Sequence, residues 1–256
     1  MSTAMALRAQ IDSARLARGD APIGYKIGFT NRSIWPLYQV DSPIFAPVWR
    51  TSVDTALADE ADLLQLGRPL RLFNRPRLEP EIVLGLARAP ESDALDDVAK
   101  AIAWVAHGFE IVQSPWPDWQ FSAAEAMASQ GLHGALLIGP RSRVVRAAGL
   151  ADALSRVRLA IASDGHELAR GEGSAVLDGP IQALAWLVRM LAENPVSHRA
   201  FALGAGSVVT TGTLTDAQPL MAGQCWQTRV EMAPGTVGPT EGACLSEALQ
   251  GLRLSC

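Results

Sequence analysis

Three glutamates and one lysine are the residues of this chain whose types and spacing could do chemistry. Glu79 and Glu81 lie two positions apart in RLEPEIVLGL, Glu110 lies in HGFEIVQS, and Lys26 lies in GYKIGFTN. Side chains two positions apart on a strand point to the same face, with Cα atoms roughly 6.5 to 7 Å apart. Two such carboxylates and a third from a neighbouring strand could hold one side of an octahedral Mg²⁺ ion. The other side would stay open for a substrate.

The apolar neighbours of these glutamates favour a metal site over two acids on the solvated face of a strand. Glu81 is followed by IVLGLA, and Glu110 stands between Phe109 and Ile111. A glutamate in an apolar run is costly unless it is paired or binds a metal. The pattern therefore indicates that the carboxylates converge on a cation.

Lys26 stands out because arginine supplies nearly all other basic residues. Of the 22 lysines and arginines, only Lys26 and Lys100 are lysines. Lys100, in DDVAKAIAW, is typical of a solvated helix residue, whereas Lys26 lies in a strand-like segment flanked by glycines. A lysine retained there indicates a need for a compact, titratable ammonium. His133, next to GALLIG and close to Gln130, is the best further candidate for a polar active-site group.

The bulk composition narrows the class of protein. A chain of 256 residues with 48% hydrophobic and 19% charged residues can bury a sizeable core, as a compact enzyme does. The net charge of −4 and the scattered basic residues predict no binding to nucleic acid. Three cysteines without CxxC spacing, and an N-terminus without a signal-like run, predict a cytoplasmic location. No run approaches roughly 18 uninterrupted apolar residues, so no membrane insertion is predicted.

The elements that must position these residues are predicted to be short strands with a few helices. Helical spacing is typical of the first segment up to Gly19, of 95–108, of 122–130, and of the segment that follows Asp178-Gly179-Pro180. Strand-like runs are APIGYKIGF, RLEPEIVLGL, FEIVQ, GALLIGP, SVVTTGTL and AGQCWQTRVEM. Few of them suggest a parallel sheet with regular crossovers. We therefore expect the α+β class, as a rolled mixed β-sheet with flanking helices in a single catalytic domain over 1–256, with 1–22 as a short helical arm.

Three local signals refine this expectation. Asp164-Gly165, between RVRLAIAS and HELARGEG, predicts a hairpin. Pro80, between the paired glutamates, cannot donate to a ladder and predicts an edge or a bulge. The prolines of 31–49 predict an irregular loop packed over the rest of the fold.

Five segments in this order carry a resemblance to a known family. They are GYKIGFTN, RLEPEIVLGL, FEIVQS, GEGSAVLDGPIQALAWLVR and VVTTGTLTDAQPLMAGQCW. Together they resemble the 2-keto-4-pentenoate hydratase and 4-oxalocrotonate decarboxylase group of the fumarylacetoacetate hydrolase superfamily, which takes part in the catabolism of aromatic compounds. The resemblance implies a fold like the C-terminal domain of fumarylacetoacetate hydrolase. It also implies a homo-oligomer, or a complex with a homologous subunit.

The resemblance further implies the parts of an active site. Mg²⁺ or Mn²⁺ would be held by Glu79, Glu81 and Glu110, and Lys26 would be the catalytic lysine. The substrate would be a small 2-oxo acid, whose carboxylate would be held by donors of Thr211, Gly212 and Thr213. The metal would act as a Lewis acid on the 2-oxo end. Lys26, close to that cation, would have a depressed pKa and could shuttle protons.

Two departures from the family pattern leave the reaction open. Ile44 stands where hydratases of the group commonly have an aspartate, and Ser129-Gln130 stands where they have an Asp-Asn pair. Gln130, His133 or Asp41 could substitute for these acid/base groups. Hydration of a 2-hydroxydienoate is the leading prediction. The alternatives are decarboxylation of a 2-oxo diacid, C–C hydrolysis of an acylpyruvate with His133 as base, and a non-catalytic partner subunit that keeps the fold and the metal.

Overall fold

A computed structural model describes residues 2–55, 63–193, 201–238 and 242–256, and most of these residues belong to or cover two β-sheets. The helices are α1 (Ser2–Ala17), α2 (Trp35–Tyr38), α3 (Leu95–Lys100), α4 (Ala123–Ala128), α5 (Leu150–Ser155) and α6 (Pro180–Glu193). The strands are β1 (Pro22–Gly28), β2 (Ile44–Trp49), β3 (Val53–Thr55), β4 (Leu63–Gln65), β5 (Arg77–Leu86), β6 (Ile102–Val112), β7 (His133–Arg143), β8 (Arg158–Ser163), β9 (His166–Glu172), β10 (Val208–Thr213), β11 (Gln218–Pro219), β12 (Cys225–Glu231) and β13 (Arg253–Ser255).

The larger sheet is mixed and has the strand order β2-β1-β10-β5-β6-β7-β3, with β11 continuing the β10 side of β5. Within it, β1 is parallel to β10 and β3 is parallel to β7, while the other pairs are antiparallel. The smaller sheet has the order β4-β13-β12-β8-β9. The prediction of a rolled mixed sheet with flanking helices is thereby confirmed, and so is the β8–β9 hairpin at Asp164-Gly165.

The main hydrophobic core lies between the two sheets and the helices that cover them. Its members come from the long central strands β5, β6 and β7, from β8, and from α5 and α6. The stretch Gly173–Glu193 is long and apolar enough to cross a membrane, but half of it is buried inside the fold. Its continuous helix, α6, has 14 residues and measures about 21 Å, which is short of the ~30 Å hydrocarbon core of a bilayer.

The prediction of a helix over 95–108 is wrong for the residues after Lys100. The structure ends α3 at Lys100 and begins β6 at Ile102. Strand β6 lies between β5 and β7, and eight successive residues of it are buried, so its sequence shows no polar alternation. A strand buried on both faces reads as a continuous apolar run, and the spacing of Val98, Ile102 and Val105 imitates a helix.

The predicted loop over 31–49 is also partly wrong, because its last third is strand β2. All six residues of β2 are buried, and the strand pairs with β1 at the end of the larger sheet. Pro47 is tolerated there because an edge strand does not need every backbone donor.

Pro80 lies in a central strand, not at an edge. Its carbonyl accepts from the backbone N–H of Leu214 on the β10 side of β5. Strand β10 leaves the β5 ladder after Thr213, and β11 joins it only at Gln218. In an antiparallel ladder the backbone nitrogen and carbonyl of one residue face the same neighbouring strand. The nitrogen of Pro80, which has no hydrogen to donate, therefore faces the gap between β10 and β11, where no strand needs a donor.

Candidate active site

The three glutamates converge at the middle of the larger sheet. Glu79 and Glu110 are directly opposite each other in the β5–β6 register, and Glu81 follows Glu79 on the same face. Carboxylate oxygens of the three lie within 4.8 Å of one another. Glu81 and Glu110 are fully buried, while Glu79 is half-buried and lines a cavity. The structure therefore brings together the set that the sequence predicts as metal ligands.

Lys26 reaches this cluster from β1. Its Nζ lies 3.1 Å from Oε2 of Glu110 and donates a 2.9 Å hydrogen bond to the carbonyl of Gly131. Burial lowers the pKa of Lys26, but the charges of Glu110 and of the other two glutamates outweigh burial and leave this pKa raised. The predicted depression concerns a lysine beside a bound cation and stays a prediction, because the raised pKa reflects the three carboxylates alone.

The three carboxyl groups have different pKa values because their surroundings differ. Burial raises the pKa of Glu79 to about 7, and burial with the charges of Glu110 and Glu79 raises that of Glu81 well above its usual range. For Glu110, burial acts in the same direction, but Lys26 and the hydrogen bond from His133 lower the pKa to about 2. The cluster is thus short of positive charge.

These residues fit a hard divalent cation. Oε1 of Glu81 is buried and has no hydrogen-bond partner among the residues that the structure describes, although a buried polar atom normally has one. Three carboxylates share the cluster with the single ammonium of Lys26. Carboxylate oxygens are the ligands that Mg²⁺ and Mn²⁺ prefer, so Glu79, Glu81 and Glu110 are the residues that would hold such an ion.

His133 orients Glu110 and does not line the cavity. Its Nδ1 donates to Oε1 of Glu110 at 2.8 Å, and its Nε2 lies 2.8 Å from Oγ of Ser52. Both ring nitrogens therefore have partners inside the protein. We revise its predicted catalytic role to the positioning of Glu110, and the geometry offers no support for His133 as the base of a C–C hydrolase.

The turn at Thr211, Gly212 and Thr213 holds Glu81 more than it offers donors to a substrate. The N–H of Gly212 donates to Oε2 of Glu81 at 2.7 Å, and Oγ1 of Thr210 donates to the same oxygen. Thr211 donates to the carbonyl of Ile82, and Thr213 donates to that of Thr215. Only Gly212 and Thr213 of the predicted three line the cavity, so Thr211 is corrected to a buried sheet residue.

Gln130, the remaining predicted catalytic residue, also faces away from the cavity. Its Oε1 accepts from Nε1 of Trp49 at 3.0 Å, and its Nε2 donates to Oδ1 of Asp12 at 2.9 Å. Its side chain therefore bridges β2 and α1. The structure offers no contact between this side chain and the cavity, so its acid/base role stays a prediction.

The cavity that opens onto this cluster has a volume of about 340 Å³, enough for a small organic acid. Lys26 and Glu79 form its polar end, and its apolar wall includes Ile44, Val112, Trp119, Phe121 and Leu132. Six polar lining residues escaped prediction, namely Thr30, Asn31, Tyr38, Arg77, Thr215 and Asp216. Arg77 had a usable signal, because it lies two positions before Glu79 and so shares its strand face.

Comparisons with known proteins agree with this fold. A family model described as fumarylacetoacetate (FAA) hydrolase C-terminal matches residues 39–240. Among curated proteins, the 2-keto-4-pentenoate hydratase of Burkholderia vietnamiensis is 29% identical over 202 residues, which cover 78% of this chain and 71% of the relative.

Two solved structures share the fold. The 4-oxalocrotonate decarboxylase of Pseudomonas putida G7, complexed with magnesium and adipate, superposes with a TM-score of 0.78 at 21% identity, covering 99% of this chain and 85% of that chain. The fumarylpyruvate hydrolase of Pseudomonas aeruginosa, in complex with Mn²⁺ and pyruvate, has a TM-score of 0.62 at 16% identity, covering 92% and 90%. Both structures hold divalent ions.

Proposed function

Since the chain belongs to the fumarylacetoacetate hydrolase family, by the match over residues 39–240, we propose that it is a divalent-metal-dependent lyase acting on a small 2-oxo acid or 2-hydroxydienoate. Water addition, as named for its hydratase relatives, is the reaction that we propose first. The observation that carries the proposal is the meeting of three glutamates and Lys26 at the closed end of one cavity.

The residues of the chain divide the chemistry among them. A cation held by Glu79, Glu81 and Glu110 would supply Lewis acidity to the 2-oxo end of the substrate. Lys26 lines the cavity, and its Nζ is fixed there by a hydrogen bond to Gly131 and an ion pair with Glu110. It is therefore placed to give a proton to a substrate carbon. The apolar wall keeps bulk water from the rest of the substrate.

The test is turnover of 2-hydroxypenta-2,4-dienoate by the purified protein with Mg²⁺ or Mn²⁺. We expect the diene absorbance to disappear only when a divalent ion is present, and Glu79→Gln to abolish the reaction. Glu247→Gln is the matched control, because Glu247 is exposed and is not one of the cavity-lining residues. Absence of turnover of both the diene and a 2-oxo diacid, with metal bound, would reject the proposal.

A second candidate reaction is the decarboxylation of a 2-oxo diacid, and Arg77 is the observation that favours it. Its guanidinium lies 4.2 Å above the ring of Trp119 at the cavity wall. No hydrogen bond or ion pair is found for this guanidinium within the described parts of the chain. A second carboxylate on the substrate would satisfy it, since arginine binds carboxylates in a two-pronged geometry.

The apolar Ile44 also suits a reaction that needs no activated water. A Cβ built on Gly28 would lie 3.2 Å from Cγ1 of Ile44 and 3.6 Å from Nζ of Lys26, so both side chains lie next to Gly28 in the cavity wall.

Ligand binding separates the two candidate reactions. For a diacid site, calorimetry with Mg²⁺ should show 2-oxoadipate binding at least tenfold more tightly than 2-oxohexanoate, and Arg77→Gln should remove the difference. Arg141→Gln is the control, because Arg141 makes the same kind of stack, on Trp104 at 4.3 Å, outside the cavity lining. Equal binding of both acids by the wild-type protein would favour the hydratase.

A further inference from the structure

The turn 130–132 has an unusual backbone. Gln130, Gly131 and Leu132 have φ values of 57°, 62° and 65°, so three consecutive residues adopt the left-handed conformation. Residues other than glycine rarely do so, because Cβ approaches the carbonyl oxygen. Strained backbone of this kind persists only where the surroundings hold it, and it clusters at functional sites.

This turn lies directly against the proposed catalytic lysine. The carbonyl of Gly131 accepts the 2.9 Å hydrogen bond from Nζ of Lys26. A Cβ built on Gly131 would lie 2.9 Å from Cδ of Lys26 and 3.1 Å from Cβ of Ala46. The turn therefore fixes both the stem and the head of the lysine, and the opposite side of the head meets Glu110 at 3.1 Å.

The side chain of Gln130 holds the turn from outside the cavity. Trp49 donates to its carbonyl oxygen, and its amide nitrogen donates to Asp12. Asp12 belongs to α1 and is buried, and Trp49 ends β2 and is almost fully buried. Both partners are thus fixed by the core, and neither belongs to the cavity lining.

We propose that Gln130 is a positioning residue: its bridge between Asp12 and Trp49 keeps the turn 130–132 left-handed and so aims the carbonyl of Gly131 at Nζ of Lys26. The inference rests on the proposed function, because it gives Lys26 the proton-transfer role. It makes α1 part of the catalytic apparatus, although no residue of α1 lines the cavity in the described structure. A carbonyl that turns away would leave Glu110 as the nearest partner of the ammonium among the described residues.

The test compares Gln130→Leu, which keeps the size of the side chain and removes both hydrogen bonds, with the wild-type protein. We expect kcat to fall about 10- to 100-fold, as for other losses of alignment near 1 Å. KM and the Mg²⁺ dissociation constant should change less than threefold, because Glu79, Glu81 and Glu110 are untouched. A purely structural role would lower the melting temperature and leave the kcat of the folded enzyme unchanged, as expected for Leu150→Ala in the core helix α5.

Two further variants should lower kcat less than Gln130→Leu does. Trp49→Phe removes only the indole donor and should give a smaller fall in kcat. Asp12→Asn keeps the acceptor oxygen and should retain most of the activity.

Crystal structures test the positioning even if the lyase assay fails for every variant. In Gln130→Leu, we expect the turn to leave the left-handed region and the 2.9 Å contact between Nζ of Lys26 and Gly131 to lengthen beyond hydrogen-bond distance. A left-handed turn and an intact contact in that variant would overturn the inference. Wild-type protein that turns over neither acid would instead reject the proposed function.

Discussion

At the scale of single residues, the site is a balance between one ammonium and three carboxylates. Lys26 lies closest to Glu110, and this pairing lowers the pKa of Glu110 while Glu79 and Glu81 keep raised values. The ammonium and a bound cation would therefore compete for the same negative charge. Removal of the lysine should separate binding of the metal from chemistry.

Lys26→Met is expected to lower kcat by about 10²- to 10⁴-fold, the usual contribution of a positioned proton-transfer group. The same change should tighten Mg²⁺ binding by roughly tenfold, about 1.4 kcal/mol, because a positive charge next to Glu110 is lost. Stopped assays and calorimetry measure the two effects. Lys100→Met, which removes the only other lysine from an exposed position on α3, should change neither. Unchanged kcat in Lys26→Met would exclude proton transfer by this residue.

Residue types in their local context predicted which carboxylates the fold brings together, but not the contacts around them. Glu79, Glu81 and Glu110 could be found because acids inside apolar strands demand a partner. The partners of His133 and Gln130 could not be found, because Ser52, Trp49 and Asp12 are distant in sequence and meet them only in the folded chain.

At the scale of elements, an irregularity in β10 positions Glu81. The register of β10 on β5 shifts between Thr210 and Thr213, and Gly212 within this bulge has a φ of 107°. That conformation turns the N–H of Gly212 toward the carboxylate of Glu81. Bulges that re-aim groups next to active sites are a recurring device.

Gly212→Ala should therefore disturb the metal site from the backbone. A Cβ there would lie 1.8 Å from Oγ1 of Thr30, and strain at this φ costs about 1–3 kcal/mol. We expect the Mg²⁺ dissociation constant to rise about 10- to 100-fold, the usual effect of losing an outer hydrogen bond to a ligand. Calorimetry and urea unfolding measure both quantities.

Gly204→Ala is the control for this backbone change, because no atom of the described residues lies within 4 Å of a Cβ at that position. It should leave metal affinity unchanged. Wild-type affinity in Gly212→Ala would show that the bulge does not position Glu81.

Element prediction succeeded where a turn or a helix start has its own signature. The β8–β9 hairpin has Asp164-Gly165 at its turn, and α4 begins with a capping box between Ser122 and Glu125. Prediction succeeded for the second half of β6, as FEIVQ, and failed for its first half and for β2. Burial on both faces of β6 hides the period of two, and Pro47 in β2 suggested a loop. Only the strand order of the folded sheet shows that these two segments are strands.

At the scale of the whole molecule, His107 links the two sheets behind the site. From β6 its Nδ1 donates to the backbone carbonyl of Glu81, and its Nε2 lies 2.9 Å from Oγ1 of Thr228 on β12 in the smaller sheet. Burial lowers the pKa of His107 to about 4. The neutral imidazole therefore belongs to the folded state, and protonation favours unfolding.

Stability should consequently fall as the pH drops from about 6.5, the pKa of an exposed histidine, toward 4. The stability that comes from the neutral imidazole is fully present above pH ~6.5. As the pH falls below that value, His107 takes up a proton in the unfolded chain before it does so in the folded protein, and this favours unfolding. Between pH 7.5 and 5.0 the free energy of unfolding should fall by about 2 kcal/mol more in the wild-type protein than in His107→Gln. Urea unfolding at both pH values measures the difference.

His166→Gln, at the exposed start of β9, is the control for this comparison and should follow the wild type. Equal pH dependence in the wild type and His107→Gln would mean that the imidazole is not held neutral.

The charge imbalance at the site should be visible in the stability of the whole fold. Glu81 is buried beside two other carboxylates and has one oxygen without a partner, so its ionised form destabilises the metal-free protein. Glu81→Gln keeps an oxygen to accept from Gly212 and removes the charge. We expect this variant to melt at a higher temperature than the wild type at pH 8 without metal.

Bound metal should reverse the order of the two melting temperatures, so that the wild type melts above Glu81→Gln. Mg²⁺ at 100 times its dissociation constant stabilises a protein that binds it only when folded by about 2.7 kcal/mol, so the wild type should gain several degrees. Glu81→Gln should gain little, because one of three ligands has lost its charge, and Glu247→Gln should behave as the wild type in both conditions. A metal-dependent shift of wild-type size in Glu81→Gln would show that Glu81 is not a ligand. If Glu81→Gln were less stable than the wild type without metal, the charge of Glu81 would already be balanced within the protein.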